Sequence, residues 1–186
     1  HPQEVRFSEV VKIDRKQATE HERSSLPYIG LEDIVSNQGT LIKGYSLTPK
    51  IMLATNYNFS LEHVLYGKLR PYLNKVLLPS FDGTCSTEIL PLLPKENKIL
   101  RTYLATYLMS NRFVEWASKN VEGANLPRLS PDALSNYPIP VPPIEDQAKF
   151  DAIFLKIKSM QVRITESERQ AEQLFQSLLH QAFVSS

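Results

Sequence analysis

Cysteine is all but missing from this chain: Cys85 is the single one among 186 residues. That excludes an internal disulfide framework and any cysteine-rich zinc site. Cys85 itself is expected to be a small buried filler, because no histidine is placed to activate it as a nucleophile. The four histidines, His1, His21, His63 and His180, lie scattered without metal-ligand spacing, so no metal site is expected. Long apolar runs are missing too. Nothing approaches the ~18 consecutive apolar residues of a membrane span. His1-Pro2-Gln3-Glu4 carries neither the basic nor the apolar region of a secretory signal, and a cytoplasmic location is the expectation.

Acidic residues are scarce in one place. From Ile34 to Phe81 the only one is Glu62, against Lys43, Lys50, Lys68, Arg70 and Lys75, a local charge of +4 in a chain whose total is +1. Tyr45, Tyr57, Phe59, Tyr66 and Tyr72 are interleaved with those cations. A cationic stretch with polar aromatics is what a polyanion-binding surface requires, since neutralised phosphates dominate nucleic-acid affinity. A solvated face that merely lacks acids has the same composition.

What is present divides the chain in two. Apolar residues make up 42% and charged ones 22%, enough for a buried core. Up to Pro143 short apolar runs are broken by Gly, Pro, Asn and Ser; beyond it there is no Gly or Pro at all. The fold class expected is α+β, a mixed domain over residues 1–142 followed by a long helix over 143–186. Strands are predicted at Tyr28–Leu31, Thr40–Tyr45, Val64–Tyr66, Tyr72–Leu78 and Thr87–Leu93, from β-branched, aromatic and leucine content between turn residues. Phe81-Asp82-Gly83-Thr84 reads as a turn with Gly83 free to take positive φ. Helical spacing runs from Asn97, the expected cap, to Lys119, and Tyr107, Phe113 and Trp116 read as core. Ser130-Pro131-Asp132 opens another helix. Tyr137 to Pro143 must be extended, because alternating prolines neither continue a helix nor donate to a ladder.

After Pro143, with Glu145 and Asp146 in the first turn, a heptad register is evident. Phe150, Ile157, Ile164, Ala171 and Leu178 take one seam position, and Ile153, Met160, Ser167, Leu174 and Gln181 the other. Phe154, Phe175, Leu179 and Phe183 widen the apolar face. A helix of about 60 Å cannot lie wholly against a domain whose radius of gyration is about 14 Å. Its seam, chiefly Phe150, Ile153, Ile157, Met160, Ile164, Leu174 and Leu178, therefore calls for a coiled-coil partner. Folding back on its own domain is the other way to cover it.

Five blocks in order carry a resemblance. They are Tyr28-Ile29-Gly30-Leu31-Glu32-Asp33-Ile34; Leu65-Tyr66-Gly67-Lys68-Leu69-Arg70-Pro71-Tyr72-Leu73-Asn74-Lys75-Val76; and Gly83-Thr84-Cys85-Ser86-Thr87-Glu88. Then come Pro138-Ile139-Pro140-Val141-Pro142-Pro143-Ile144-Glu145-Asp146-Gln147 and Gln176-Ser177-Leu178-Leu179-His180-Gln181-Ala182-Phe183. Over nearly its whole length the chain resembles the specificity subunit of type I restriction-modification systems. The resemblance implies a target recognition domain that reads one half of a bipartite double-stranded DNA site. It also implies a helix that spaces the half-sites and docks methyltransferase and restriction/translocase subunits. Full-length members carry the pair twice, with the two helices antiparallel; one copy here resembles a half-length subunit or a fragment. The family's terminal motif usually continues with glycine, where this chain has Val184-Ser185-Ser186, which leaves self-association or pairing with a second half open.

The resemblance implies no catalysis in this chain and no cofactor of its own; S-adenosylmethionine, ATP and magnesium belong to partner subunits. The residues agree. There is no Asn-Pro-Pro-aromatic or Asp-Pro-Pro-aromatic tetrapeptide, no Gly-rich phosphate loop ending in Lys-Ser or Lys-Thr, and no carboxylate–lysine set of a metal-dependent nuclease.

A signature shared by domains that read different sequences cannot choose bases, so its residues are candidates for phosphate contact: Lys68, Arg70, Lys75, Ser86 and Thr87. Arg70 is open between DNA and an internal pair with Glu88, and Ser86 and Thr87 between phosphate and a turn. Base reading falls to less stereotyped segments whose Asn, Gln, Lys and Arg side chains match base edges: Gln38, Lys43 and Tyr45; Asn56 and Asn58; Asn125 and Arg128. Two other readings are a scaffold that assembles partners without touching DNA, and the recognition domain of a fused restriction enzyme.

Overall fold

The computed structural model describes residues 3–49 and 55–184, in two units that meet between Gln147 and Ala148 rather than at Pro143. In the first unit the elements are β1 (Gln3–Arg6), α1 (Phe7–Val10), β2 (Val11–Ile13), α2 (Glu20–Ser25), β3 (Tyr28–Ile29), β4 (Asn56–Phe59), β5 (Val64–Gly67), β6 (Val76–Leu77), β7 (Gly83–Ser86) and β8 (Ile89–Pro94). They continue with α3 (Arg101–Leu108), α4 (Asn111–Lys119), β9 (Val121–Glu122), β10 (Arg128–Leu129), α5 (Pro131–Ser135) and β11 (Pro138–Val141); α6 runs from Ile144 to Val184.

The organising layer is a four-stranded antiparallel sheet in the order β2-β8-β5-β6. Strand side chains alternate faces, and here both faces are buried. Val64, Tyr66, Val76, Leu90 and Leu92 enter one core with Leu104, Leu108, Phe113 and Leu134 from the helices. Leu65, Leu77 and Ile89 enter a second core with Ile29, Phe59 and Cys85 of the smaller sheet β3-β7-β4. Burial on both faces is why these strands read as continuous apolar runs. The first core is rich in rings: Phe113 meets Tyr137 edge-on at 5.1 Å and Tyr66 at 5.7 Å, while the hydroxyls of Tyr107 and Tyr137 share a hydrogen bond of 2.6 Å. Tyr107 and Trp116 are half-buried against it, and Cys85 is fully buried with its thiol pKa pushed up by desolvation, as a filler requires.

Several expectations need correcting. Thr40–Tyr45 forms no strand; Leu41 makes one isolated bridge to Ile34. Only Val76–Leu77 of the predicted Tyr72–Leu78 strand is real, because Pro71–Leu73 is a 3-10 turn. Tyr28–Ile29 gives way at once to another such turn, Leu31–Asp33. Asn97 does not cap α3; it adopts φ 56°, and Leu100 is the cap. Gly83 opens β7 instead of turning. It is glycine for want of room: a Cβ there would lie 2.6 Å from the Phe59 ring and 2.7 Å from the Pro27 carbonyl.

The proline-rich segment is extended, as expected, yet it does join a ladder. β11 pairs antiparallel with β1, Ile139 opposite Val5 and Val141 opposite Gln3, with the N–H of Phe7 on the carbonyl of Tyr137. Every second N–H of such a strand faces its partner. Ile139 and Val141 keep theirs, and the prolines fall on the free edge. Ser130 caps α5 through the N–H of Ala133, with Pro131 in the first turn.

The second unit is α6 from Ala148 onward. Ile153, Ile157, Met160, Ile164, Leu174 and Leu178 are exposed, Ile164 at 58%, and Phe150 is half-buried. Ser167 closes on the carbonyl of Arg163, and Arg169 pairs with Glu166 one turn earlier. Surface ion pairs of this kind add little; the seam is the feature left to be covered.

Candidate nucleic-acid interface

The segment from Gly67 to Lys75 joins β5 to β6 and is the hub of the site. The N–H of Gly67 on the carbonyl of Lys75 closes it at 2.8 Å. Between them Arg70 (φ 51°, ψ 64°) and Asn74 (φ 48°, ψ 56°) bracket the single turn Pro71–Leu73 in left-handed backbone. Asparagine tolerates that region and arginine seldom visits it, so the conformation is imposed from outside. The N–H of Arg70 donates to the carbonyl of Pro127 at 2.7 Å. The buried side-chain amide of Asn74 donates to Oδ1 of Asn37 at 2.9 Å and to the carbonyl of Met109 at 3.1 Å, and the backbone carbonyl of Asn74 receives the N–H of Asn37.

Through those bonds two of the three predicted base-reading segments converge on the hub. The 36–45 loop arrives through Asn37, itself left-handed at φ 62°, and carries the exposed Gln38 and Lys43. The 123–128 loop arrives through Pro127 and the bridge between Leu69 and Arg128, and carries the exposed Asn125. The third segment lies elsewhere, on β4 in the smaller sheet. Asn56 is buried there, and Asn58 faces α2, where its side chain and Thr19 hold the Glu22 carboxyl down to about 2. Thr19 and Glu22 form a capping box for α2, legible as Thr-x-x-Glu but not anticipated.

The cations divide as well. Lys75 is half-buried with its ammonium on the carbonyl of Leu31 at 2.8 Å. Glu88 is paired, but with Arg128 and not Arg70. Nε of Arg128 reaches both carboxylate oxygens at 3.0 and 2.9 Å, and a terminal nitrogen reaches Oε1 at 2.7 Å. This hydrogen bonding, with the nearby charges of Arg128 and Lys68, pulls the Glu88 carboxyl below its ordinary range against a partial burial that raises it. Arg70 is exposed and Lys68 half-buried, its backbone N–H on Glu88 and its carbonyl taking the N–H of Leu129. Ser86 serves a turn, its hydroxyl accepting the N–H of Glu88, and half-buried Thr87 lies in that same turn. Tyr45 donates its hydroxyl to the carbonyl of Tyr28 at 2.6 Å and stacks on Phe81, so its ring is packed inward. Lys50 lies outside the described residues.

Sequence reasoning missed the bracing role of Asn37 and Asn74 and the exposure of Tyr72 and Leu126. The signal for the first was Pro71, which has no place in a central strand. Among the described residues no cluster of His, Cys, Asp and Glu could hold a metal ion, and no helix is long and apolar enough to cross a membrane.

Comparison with known proteins agrees with the architecture. The family model for the type I restriction modification DNA specificity domain matches residues 3–172, and the chain belongs to that family. It is 26% identical over 183 residues to the type I restriction enzyme EcoDI specificity subunit of Escherichia coli, covering 96% of this chain and 40% of that protein. Among solved structures, the HsdS subunit from Thermoanaerobacter tengcongensis superposes with a TM-score of 0.66 at 21% identity over 96% of this chain and 48% of its own. A chain from a study of complex assembly and conformational transition of the type I R-M system gives 0.68 at 21% identity, over 97% and 49%. The chain thus spans about half, or less, of the length of the relatives it matches.

Proposed function

We propose that this chain is a non-catalytic sequence-specificity module of a type I restriction-modification system, working in the cytoplasm. Its first unit reads one half of a bipartite double-stranded DNA site. Its long helix pairs with a second helix and docks the methyltransferase and restriction/translocase subunits, which bring S-adenosylmethionine, ATP and magnesium. The observation that carries the reading is the convergence of the 36–45 and 123–128 loops on the braced 68–75 hub, a segment without a single acid from His63 to Phe81.

Gln38 and Asn125 match adenine and Lys43 matches guanine in hydrogen-bond pattern. Lys68 and Arg70 flank them as phosphate contacts, which set register without choosing bases. Lys75 and Arg128 are spoken for by Leu31 and Glu88. Selection from a random duplex pool, followed by anisotropy titration, tests the reading. With Lys68 and Arg70 each neutralising a phosphate, log affinity should fall against log salt with a slope of about −1.8. A flat salt response, or a pool that yields no preferred sequence, would refute it.

A further inference from the structure

Strained backbone persists only where its surroundings over-determine it, and such places point to function. The hub holds two such residues on either side of one turn, Arg70 and Asn74. The turn between them lifts Tyr72, the largest side chain of the segment, to 54% exposure. No core needs it there: the rings of the first unit pack as Phe113, Tyr137, Tyr66, Tyr107 and Trp116 on one side and Phe59, Tyr45 and Phe81 on the other. Arg70, also exposed, stands at the foot of the same turn. Asn74's amide and the Pro127 carbonyl keep the turn from relaxing.

We infer that Tyr72 and Arg70 form a preformed grip on the DNA backbone that is indifferent to sequence. Arg70 pairs with one phosphate, the Tyr72 hydroxyl donates to another, and the ring lies against the intervening deoxyribose. The inference rests on the DNA reading above and assigns a place within it. The absence of acids from His63 to Phe81 favours a polyanion over a protein surface as the occupant. The 36–45 and 123–128 loops are bonded to the two brackets of the turn, so it is the Asn74 brace and the Pro127 carbonyl, not the two gripping side chains, that hold those loops in place.

The test is anisotropy titration of the full chain on its selected duplex and on a scrambled duplex of equal length. Arg70→Gly keeps a residue at ease in left-handed backbone and should flatten the salt slope by about 0.9 on both duplexes. Tyr72→Phe should weaken both about fivefold, the worth of one hydrogen bond, and Tyr72→Ala about tenfold as the ring contact goes too. The ratio between the duplexes should hold in all three variants, and Asn74→Gly, which keeps the backbone and removes the brace, should lower that ratio. Variants that bind both duplexes as the parent does overturn the grip while leaving the DNA reading intact. So do variants that lose one duplex only, or that lose capture of a methyltransferase subunit with duplex binding unchanged. A parent that binds no duplex removes the DNA reading and the grip together.

Discussion

The side-chain carbonyl of Gln147, in the first turn of α6, accepts at 2.7 Å the backbone N–H of Leu100, the residue that opens α3. Its amide nitrogen donates to the carbonyls of Pro142 at 2.9 Å and Lys98 at 3.3 Å, and the side chain is fully buried. One glutamine thus takes the N–H of the cap residue, the part that a Glu or Gln at the third helical position plays in a capping box. Gln147→Leu keeps the volume and strands the half-buried N–H of Leu100 together with the two carbonyls, a loss of about 2 kcal/mol. For a unit of this size the melting temperature should drop by roughly 5–10 °C in calorimetry. A melting curve that does not move would mean the bridge contributes nothing to stability.

Glu88 and Arg128 give stability a dependence on acidity. The Glu88 carboxyl is held below its ordinary range, first by hydrogen bonds from Arg128. A carboxyl whose folded pKa is depressed contributes stability above its unfolded value, about 4.3, and loses it as pH falls toward the folded one. Glu88→Gln should therefore narrow the drop in stability that the parent shows below about pH 4. It should also free the Arg128 guanidinium, steepening the salt slope of duplex binding by up to about 0.9. Denaturant titrations at a series of pH values check the first effect; identical acid limbs in parent and variant would remove it.

The exposed seam of α6 carries a third expectation. Ile157→Lys places a charge at a seam position that is 50% exposed, so the first unit should fold and melt as before. Association through the helix should be lost, since a charge in a coiled-coil seam costs far more in the pair than in the free helix. Sedimentation of parent and variant at micromolar concentration decides it. A parent that is already monomeric there would show that the seam does not pair with a second copy.

How much of this was legible depended on the range of the forces involved. The long helix announced itself through a heptad and a lack of breakers, both local properties. The central sheet was visible in Val64–Tyr66 and in the Ile89–Leu93 part of the predicted Thr87–Leu93 strand, because burial on both faces leaves an unbroken apolar run, while Thr87 and Glu88 form the turn before it. β4 was not: Asn56-Tyr57-Asn58-Phe59 has poor strand propensity, and its pairing with β7 makes it a strand. β1 was hidden for the same reason, as its partner β11 lies at the far end of the first unit's sequence. The hub was half-legible. Its cations stood out, while their commitments did not, since Arg128 finds Glu88 across 40 residues and Lys75 finds Leu31 across 44.

The pairing of β1 with β11 means that the first unit is entered and left at one seam, with Gln3 opposite Val141 and Arg6 opposite Pro138. A module whose two ends meet in this way is a cassette. Another body spliced in between those same two strands would leave the chain that leads on to α6 unchanged in length and in its starting point at Val141.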